Sequence, residues 1–410
     1  MVENKFKLVG ISLAISGIPY GMYLNTIYPV IKWTPIVMIL SVLLTINWRN
    51  LLAFKFPNSN RMVRFLISFH LFMIVYYLFG YDDSFQWLSF HLFIVAFCYS
   101  IMSLPKSFNF SDVPEAVFII TIPLVLFGFF VCFYNLVVGE EAYYLRQSDT
   151  GFVIEPFTVA CGALYNMFAG LCILDKNKIF KLVVIITTIM GIYILFSCIK
   201  RTPIFVYIIG LGLFLLKSKQ LFNVNKRLFI KYTIVSITIF VVLYLSNEYV
   251  SANVNDFINN MSTGVRNLLG DTSVSDDTGS AIERANNRAT AYNHIDQHWT
   301  FVNYIFGNGY FMYWLDSPFL QSYFDMGLIG FICYIYTVVV YPFKIFRYKY
   351  VDTKVLYALL LCVYGIVSIF SAGHPYQSEH YVCVILLAVF VNNNKFLKDE
   401  QYYSDSIYHI

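Results

Sequence analysis

Charge is the first thing this sequence lacks. Only 13% of its 410 residues are Asp, Glu, Lys or Arg, about half the roughly 25% of a soluble domain, so an ordinary water-facing surface is excluded. The net charge of +4 points to no nucleic-acid partner, because in such a chain the position of charges matters more than their sum. A disulfide framework is also missing. All eight cysteines (Cys98, Cys132, Cys161, Cys172, Cys198, Cys333, Cys362 and Cys383) fall inside apolar stretches, with no Cys/His zinc spacing. The first apolar run, 8–24, follows Lys5 and Lys7 but is interrupted by Pro19 and has no small-x-small cleavage site, which predicts an uncleaved first span. No repeat of the whole chain is present, and the two halves are not copies.

What remains is apolar: 58% of residues are hydrophobic and 19% aromatic, with a mean hydropathy of +0.63. A bilayer core needs about 20 helical residues, and the hydropathy predicts twelve spans near 8–24, 29–47, 65–80, 86–104, 115–138, 153–174, 182–199, 203–216, 229–246, 317–340, 355–372 and 379–393. The expected fold class is an all-α integral membrane protein. With both termini in the cytoplasm, every inner loop carries Lys or Arg. The outer loops hold only Arg146, Lys200, Arg201, Arg266, Arg284 and Arg288, while Lys32 falls within the second span.

The chain then divides into spans one to nine (1–246), a long outer loop (247–316), and spans ten to twelve with a cytoplasmic tail (317–410). The loop carries eight acids against three bases, and a loop of that length that is not simply disordered usually carries function. Its 270–280 stretch is turn-rich, whereas 283–297, free of Gly and Pro, predicts a helix on the membrane surface.

Several polar residues could carry chemistry. Lys200-Arg201-Thr202-Pro203 lies on the side that avoids positive charge; the pair either snorkels to the interface or clamps an anion, since a guanidinium matches phosphate oxygens bidentately. Arg284 and Arg288, four residues apart, share a helix face, either as a solvated ion-pair surface with Glu283 and Asp296 or as partners of Arg201 around one anion. Asp316-Ser317-Pro318 opens span ten as a helix cap or as a rim carboxylate able to act as general base. Asp325, about two turns deeper, is a functional or ion-pairing candidate with Lys32 or Arg201 as partner. His374, in His374-Pro375-Tyr376, is a turn residue or a second candidate base, with Glu379-His380 beside it. His294 and His298 have the i,i+4 spacing that can bind metal, but with no third ligand beside them no metal is expected.

The segment 288–334 resembles the signature region of bacterial O-antigen and capsular polysaccharide polymerases (Wzy type), a superfamily that includes the O-antigen ligases. The resemblance rests on Arg288, Tyr292, Phe306-Gly307-Asn308-Gly309, Asp316-Ser317 and Gly327-Leu328-Ile329-Gly330, together with the Lys200–Pro203 hairpin. Ligases carry a His-containing pair where this chain has Asp316-Ser317, which favours the polymerase. The resemblance implies a bundle like that of GT-C glycosyltransferases, an active site at the periplasmic face of the bacterial inner membrane, and no cofactor. It implies undecaprenyl-diphosphate-linked glycans as donor and acceptor, with a Wzz-type chain-length regulator as a further partner. In that reading Lys200, Arg201, Arg284 and Arg288 hold the diphosphate, and Asp316, then His374, is the base. The rivals are a ligase delivering glycan to lipid A core and a flippase. A flippase is disfavoured by the lack of related halves.

The topology is open to direct test. Single cysteines placed in 270–280 should react with an impermeant thiol reagent from outside intact spheroplasts. Labelling there only after lysis would overturn the whole loop order.

Overall fold

A computed structural model describes residues 2–77, 85–138, 156–174, 178–198, 201–217, 280–310, 313–315, 317–348, 351–371 and 373–394, with isolated positions between 245 and 262. All regular structure among them is helical. The helices are α1 (Val2–Ile27), α2 (Trp33–Thr45), α3 (Trp48–Leu52), α4 (Arg61–Tyr77), α5 (Phe85–Ser103), α6 (Val113–Val138), α7 (Pro156–Cys172), α8 (Lys178–Ser197) and α9 (Arg201–Lys217). After the undescribed stretch come α10 (Ser280–His298), α11 (Phe301–Phe306), α12 (Pro318–Ile335), a π-turn at Tyr336–Val340 continuing into α13 (Tyr341–Phe346), α14 (Thr353–Ser371) and α15 (Ser378–Asn392). Helices lie over every predicted span except 229–246, of which only position 245 is among the described residues.

Four described stretches are long and apolar enough to cross a membrane: Glu3–Ile27, Phe110–Tyr134, Lys178–Ser197 and Pro318–Phe346; six further apolar helices are shorter. Helix α8 shows which solvent they expect. Leu182, Ile185, Ile189, Ile192 and Phe196 form an outward stripe at three- and four-residue spacing, while Val184, Thr187, Gly191 and Ile194 face inward. In water the polar face would point out; here both faces are apolar, which suits a bilayer.

Helix α7 is the pillar of the bundle. Nearly every one of its side chains is buried, among α6, α8, α1 and α14. Helix α15 is enclosed in the same way, against α14, α5 and α4. The first two helices form a tight hairpin: a Cβ on Gly10 would stand 2.5 Å from Thr45 Oγ1, and one on Gly21 would collide with the Thr34 backbone. Helix α1 runs without a break through Pro19.

One boundary differs from expectation. Lys32, assigned to a span by hydropathy, is exposed just ahead of α2. The Asn25 side chain accepts the Trp33 amide at 2.7 Å and fixes the start of that helix. Tyr28, Val30 and Ile31 made the loop look apolar, yet all three are exposed in it.

The helix contacts generate a stability contrast. Gly21→Ala should destabilise the protein by about 1–3 kcal/mol through overpacking, whereas Gly212→Ala, with open space around it, should be neutral or gain up to ~1 kcal/mol of helix propensity. Thermal unfolding of the two variants in detergent checks this; equal melting temperatures would contradict the tight hairpin.

Candidate functional site

The local sequence breaks α12 at one residue. Gly327 adopts φ 62°, ψ −165° inside the helix, a left-handed conformation that costs glycine nothing. In an unbroken helix the carbonyls of Phe324 and Asp325 would accept the amides of residues 328 and 329. Here they accept from elsewhere: Asn308 N–H donates to Phe324 O at 2.9 Å and Gly309 N–H to Asp325 O at 3.0 Å. Tyr76 of α4 donates to Asp325 O at 2.8 Å and also to Phe306 O. Gly307, at φ 79°, closes the fit. A Cβ there would strike the Asp325 carbonyl, and one on Gly327 would strike the Ile305 backbone. The Phe-Gly-Asn-Gly turn is therefore seated in the break of the helix.

The same break presents Asp325, fully buried. Its Oδ2 accepts from Gln321 Nε2 at 2.8 Å and from Tyr376 OH at 2.8 Å. Gln321 also donates to Tyr313 O at 2.9 Å and accepts the Leu315 amide at 2.8 Å, which pins the segment leading into α12. The Tyr376 ring lies 4.7 Å from that of Tyr310. Tyr310 donates its proton to Met73 O at 2.9 Å, so its oxygen accepts from His91 Nε2 at 3.1 Å. His91 Nδ1 must then accept from His70 Nδ1, 2.9 Å away. Two hydrogen-bonded sets, joined by the Tyr376–Tyr310 ring contact, thus run from α12 to α4 and α5 beneath the clasped helix.

His374 is also buried, with its ring 5.4 Å from that of Trp314. Burial, followed by the neighbouring His380 and His91, holds its pKa well below the ordinary histidine value. The ring is therefore neutral. Its Nδ1 accepts the Tyr376 amide at 3.2 Å, which leaves the proton on Nε2. In that tautomer His374 offers a donor, so proton abstraction by it needs the Nδ1 contact to open first.

The stretch 283–297 is helical, as its lack of Gly and Pro predicts, and this helix, α10, roofs the region. Asn287 Nδ2 donates to Trp314 O at 3.0 Å, and Ala291 packs with Leu315 and Phe324. Arg288 is half-buried, and its Nε has no hydrogen-bond partner among the described residues. Arg284 is on the same helix, but its side chain lies outside the described residues. His294 and His298 have ring centroids 4.9 Å apart. Partial burial and the proximity of His298 lower the His294 pKa. Among the described residues no group of three His, Cys, Asp or Glu side chains gathers to hold a metal.

The remaining sequence candidates divide. Helix α9 begins at Arg201, with Pro203 in its first turn; the Arg201 side chain, Lys200 and Asp316 lie outside the described residues. The cap position of α12 is Ser317, with Pro318 just inside. Helix α9 packs on α14 and α7, whereas Arg288 enters from the roof over α12. Asp325, His374 and the Asn287–Arg288 turn are brought together through Tyr376 and Trp314.

Gln321, Tyr310, His70 and His91 were not singled out from sequence, and Tyr376 only as part of its turn. The available signal was a histidine in each of two apolar spans, since an ionisable side chain at membrane depth is a functional candidate by default.

Removing the clasp should be more damaging than removing the acid. Gly327→Ala forces a Cβ onto the Ile305 backbone, so folded protein should be lost or its melting temperature sharply lowered. Asp325→Asn keeps an oxygen for Gln321 and Tyr376 and should fold, while Asp325→Ala strands two buried donors at about 1–3 kcal/mol each. Thermal unfolding of the three variants checks the order; Gly327→Ala melting like the parent protein would sink the clasp.

Searches against protein-family models, curated proteins and solved structures give no match to this chain.

Proposed function

We propose that the protein polymerises undecaprenyl-diphosphate-linked oligosaccharide repeat units into O-antigen or capsular polysaccharide. In this reading twelve helices, GT-C-like in arrangement, cross the bacterial inner membrane with both termini in the cytoplasm. The reaction takes place at the periplasmic face, where donor and acceptor glycans meet, with a Wzz-type regulator as a further partner. One observation supports it above the rest. The Phe-Gly-x-Gly turn and the Gly-Leu-Ile-Gly helix, two separate parts of the signature resemblance, meet through Gly307 and Gly327. A motif pair linked only by chance would have no reason to be in backbone contact.

The chemistry needs little from the protein. The acceptor hydroxyl attacks the anomeric carbon of the donor, whose bond to the carrier diphosphate breaks and leaves its electron pair on the diphosphate. Cations stabilise that charge. Arg201 stands at the N-terminus of α9, where the helix dipole already favours an anion and disfavours an unpaired cation. Arg288 presents a buried Nε with no protein acceptor among the described residues. Lys200 and Arg284 complete the set. The proton of the acceptor goes to Asp316, because the His374 tautomer presents a donor at Nε2 and Asp325 is engaged by Gln321 and Tyr376.

Arg201→Ala should abolish long polymer while single repeat units accumulate on the carrier or capped on lipid A core. Losing a charge-assisted contact to the diphosphate costs about 2–4 kcal/mol, roughly 30- to 1000-fold in rate. Arg201→Lys should recover little, since an ammonium lacks the bidentate geometry. Asp316→Asn should lose turnover without losing protein. Polymer of normal length from both arginine variants would refute the reading, and normal polymer from Asp316→Asn would remove the base assignment alone.

A further inference from the structure

Helix α11 exposes the wrong kind of residue for a loop in water. Phe301 is 78% and Val302 61% exposed, with Phe306 and Tyr304 also open. This short helix is not an isolated apolar patch. It ends at Gly307 against Gly327, and there the lipid-facing residues of α12 begin: Leu328, Ile329 and Ile332 are all exposed. The two surfaces are continuous.

Length fixes the level at which they join. The apolar stretch that starts at Pro318 ends at Phe346. Its first part carries Gln321, Ser322 and Asp325, all buried. Residues 328–346 rise about 28 Å, close to the ~30 Å of a hydrocarbon core. The membrane boundary therefore falls near Gly327, at the height of α11. Trp299, Tyr304 and Tyr323 cluster at that height, with ring centroids 5.0 Å (Trp299–Tyr304) and 5.4 Å (Trp299–Tyr323) apart, the amphipathic aromatics typical of an interface. Helix α10, just before it, exposes Asn286, Asn293, Asp296 and Gln297 and belongs to the aqueous side.

We propose that α11 is an interfacial anchor: its Phe301, Val302 and Phe306 face lies in the acyl boundary of the leaflet and ties the helix break at Gly327 to the membrane plane. The occupant of this face is bilayer lipid. The assignment is independent of the transferase reading and requires only that α12 crosses the membrane.

Spin labels test it in the full-length protein reconstituted into vesicles. Labels are attached to Phe301→Cys, Val302→Cys and, as a control on α10, Gln297→Cys. The background is Cys333→Ser, because the other native cysteines are buried. Collision with oxygen should exceed collision with a water-soluble nickel chelate at positions 301 and 302, and the order should reverse at 297. Phe301→Trp, read by extra quenching with brominated lipid relative to the parent protein, measures the same depth without cysteine chemistry. Nickel access exceeding oxygen at 301 and 302 would place the face in water and overturn the proposal. Exclusion of both reagents would show it covered by another segment of the chain or a second copy, and would overturn it equally.

Discussion

The exchange of hydrogen bonds at Gly327 is the constraint around which the described half of the loop and the last helices are arranged. A buried backbone carbonyl released from a helix must find a donor, because each buried group left unmet costs about 1–3 kcal/mol. Two carbonyls are released here, and they are met by two amides of one turn and a tyrosine from α4. The break thus joins α12 and the turn before it to α4, whose Tyr76 is 249 positions from Asp325. It also explains why the turn needs glycine at 307, where the approach of two backbones leaves no room for a side chain.

The hydrogen-bonded sets beneath the break follow from the same economy of donors and acceptors. Asp325 is tolerable in the core because Gln321 and Tyr376 both point protons at it. Gln321 in turn spends its oxygen on the Leu315 amide. These bonds set the approach to α12 and the 374–376 turn together, and the Tyr376 ring rests on Tyr310 and His91, which belong to the second set reaching α4 and α5. Interlocked networks of this kind specify one arrangement, whereas aliphatic packing alone tolerates several.

Much of the helical layout was legible because hydropathy responds to a single strong requirement. A long helix such as α6 or α8 announces itself with an unbroken apolar run, and the surface helix α10 did so by lacking Gly and Pro. Lys32 was misplaced for the converse reason: Tyr28, Val30 and Ile31 are apolar residues of a turn, and composition cannot tell a turn from a helix start. The parts of the site that carried family resemblance, Gly307 and Gly327, were visible as motifs, but their contact was not, because nothing local encodes which backbone meets which. His70 and His91 escaped notice since each looks like a solitary polar residue until its partner arrives from another helix. Asn287 joined the roof to Trp314 for the same reason, a pairing across a loop that no periodicity reports.

The enclosed helix α15 has a geometric corollary. Its 15 residues rise about 22 Å, some 8 Å short of a ~30 Å hydrocarbon core. A lipid-facing helix that short would force the bilayer to thin or the helix to shift. Buried on all sides by longer neighbours, α15 meets no acyl chains and imposes no such mismatch. The 374–377 turn ahead of α15 lies against Trp314, whose ring is 5.4 Å from that of His374 and whose carbonyl accepts from Asn287 of α10.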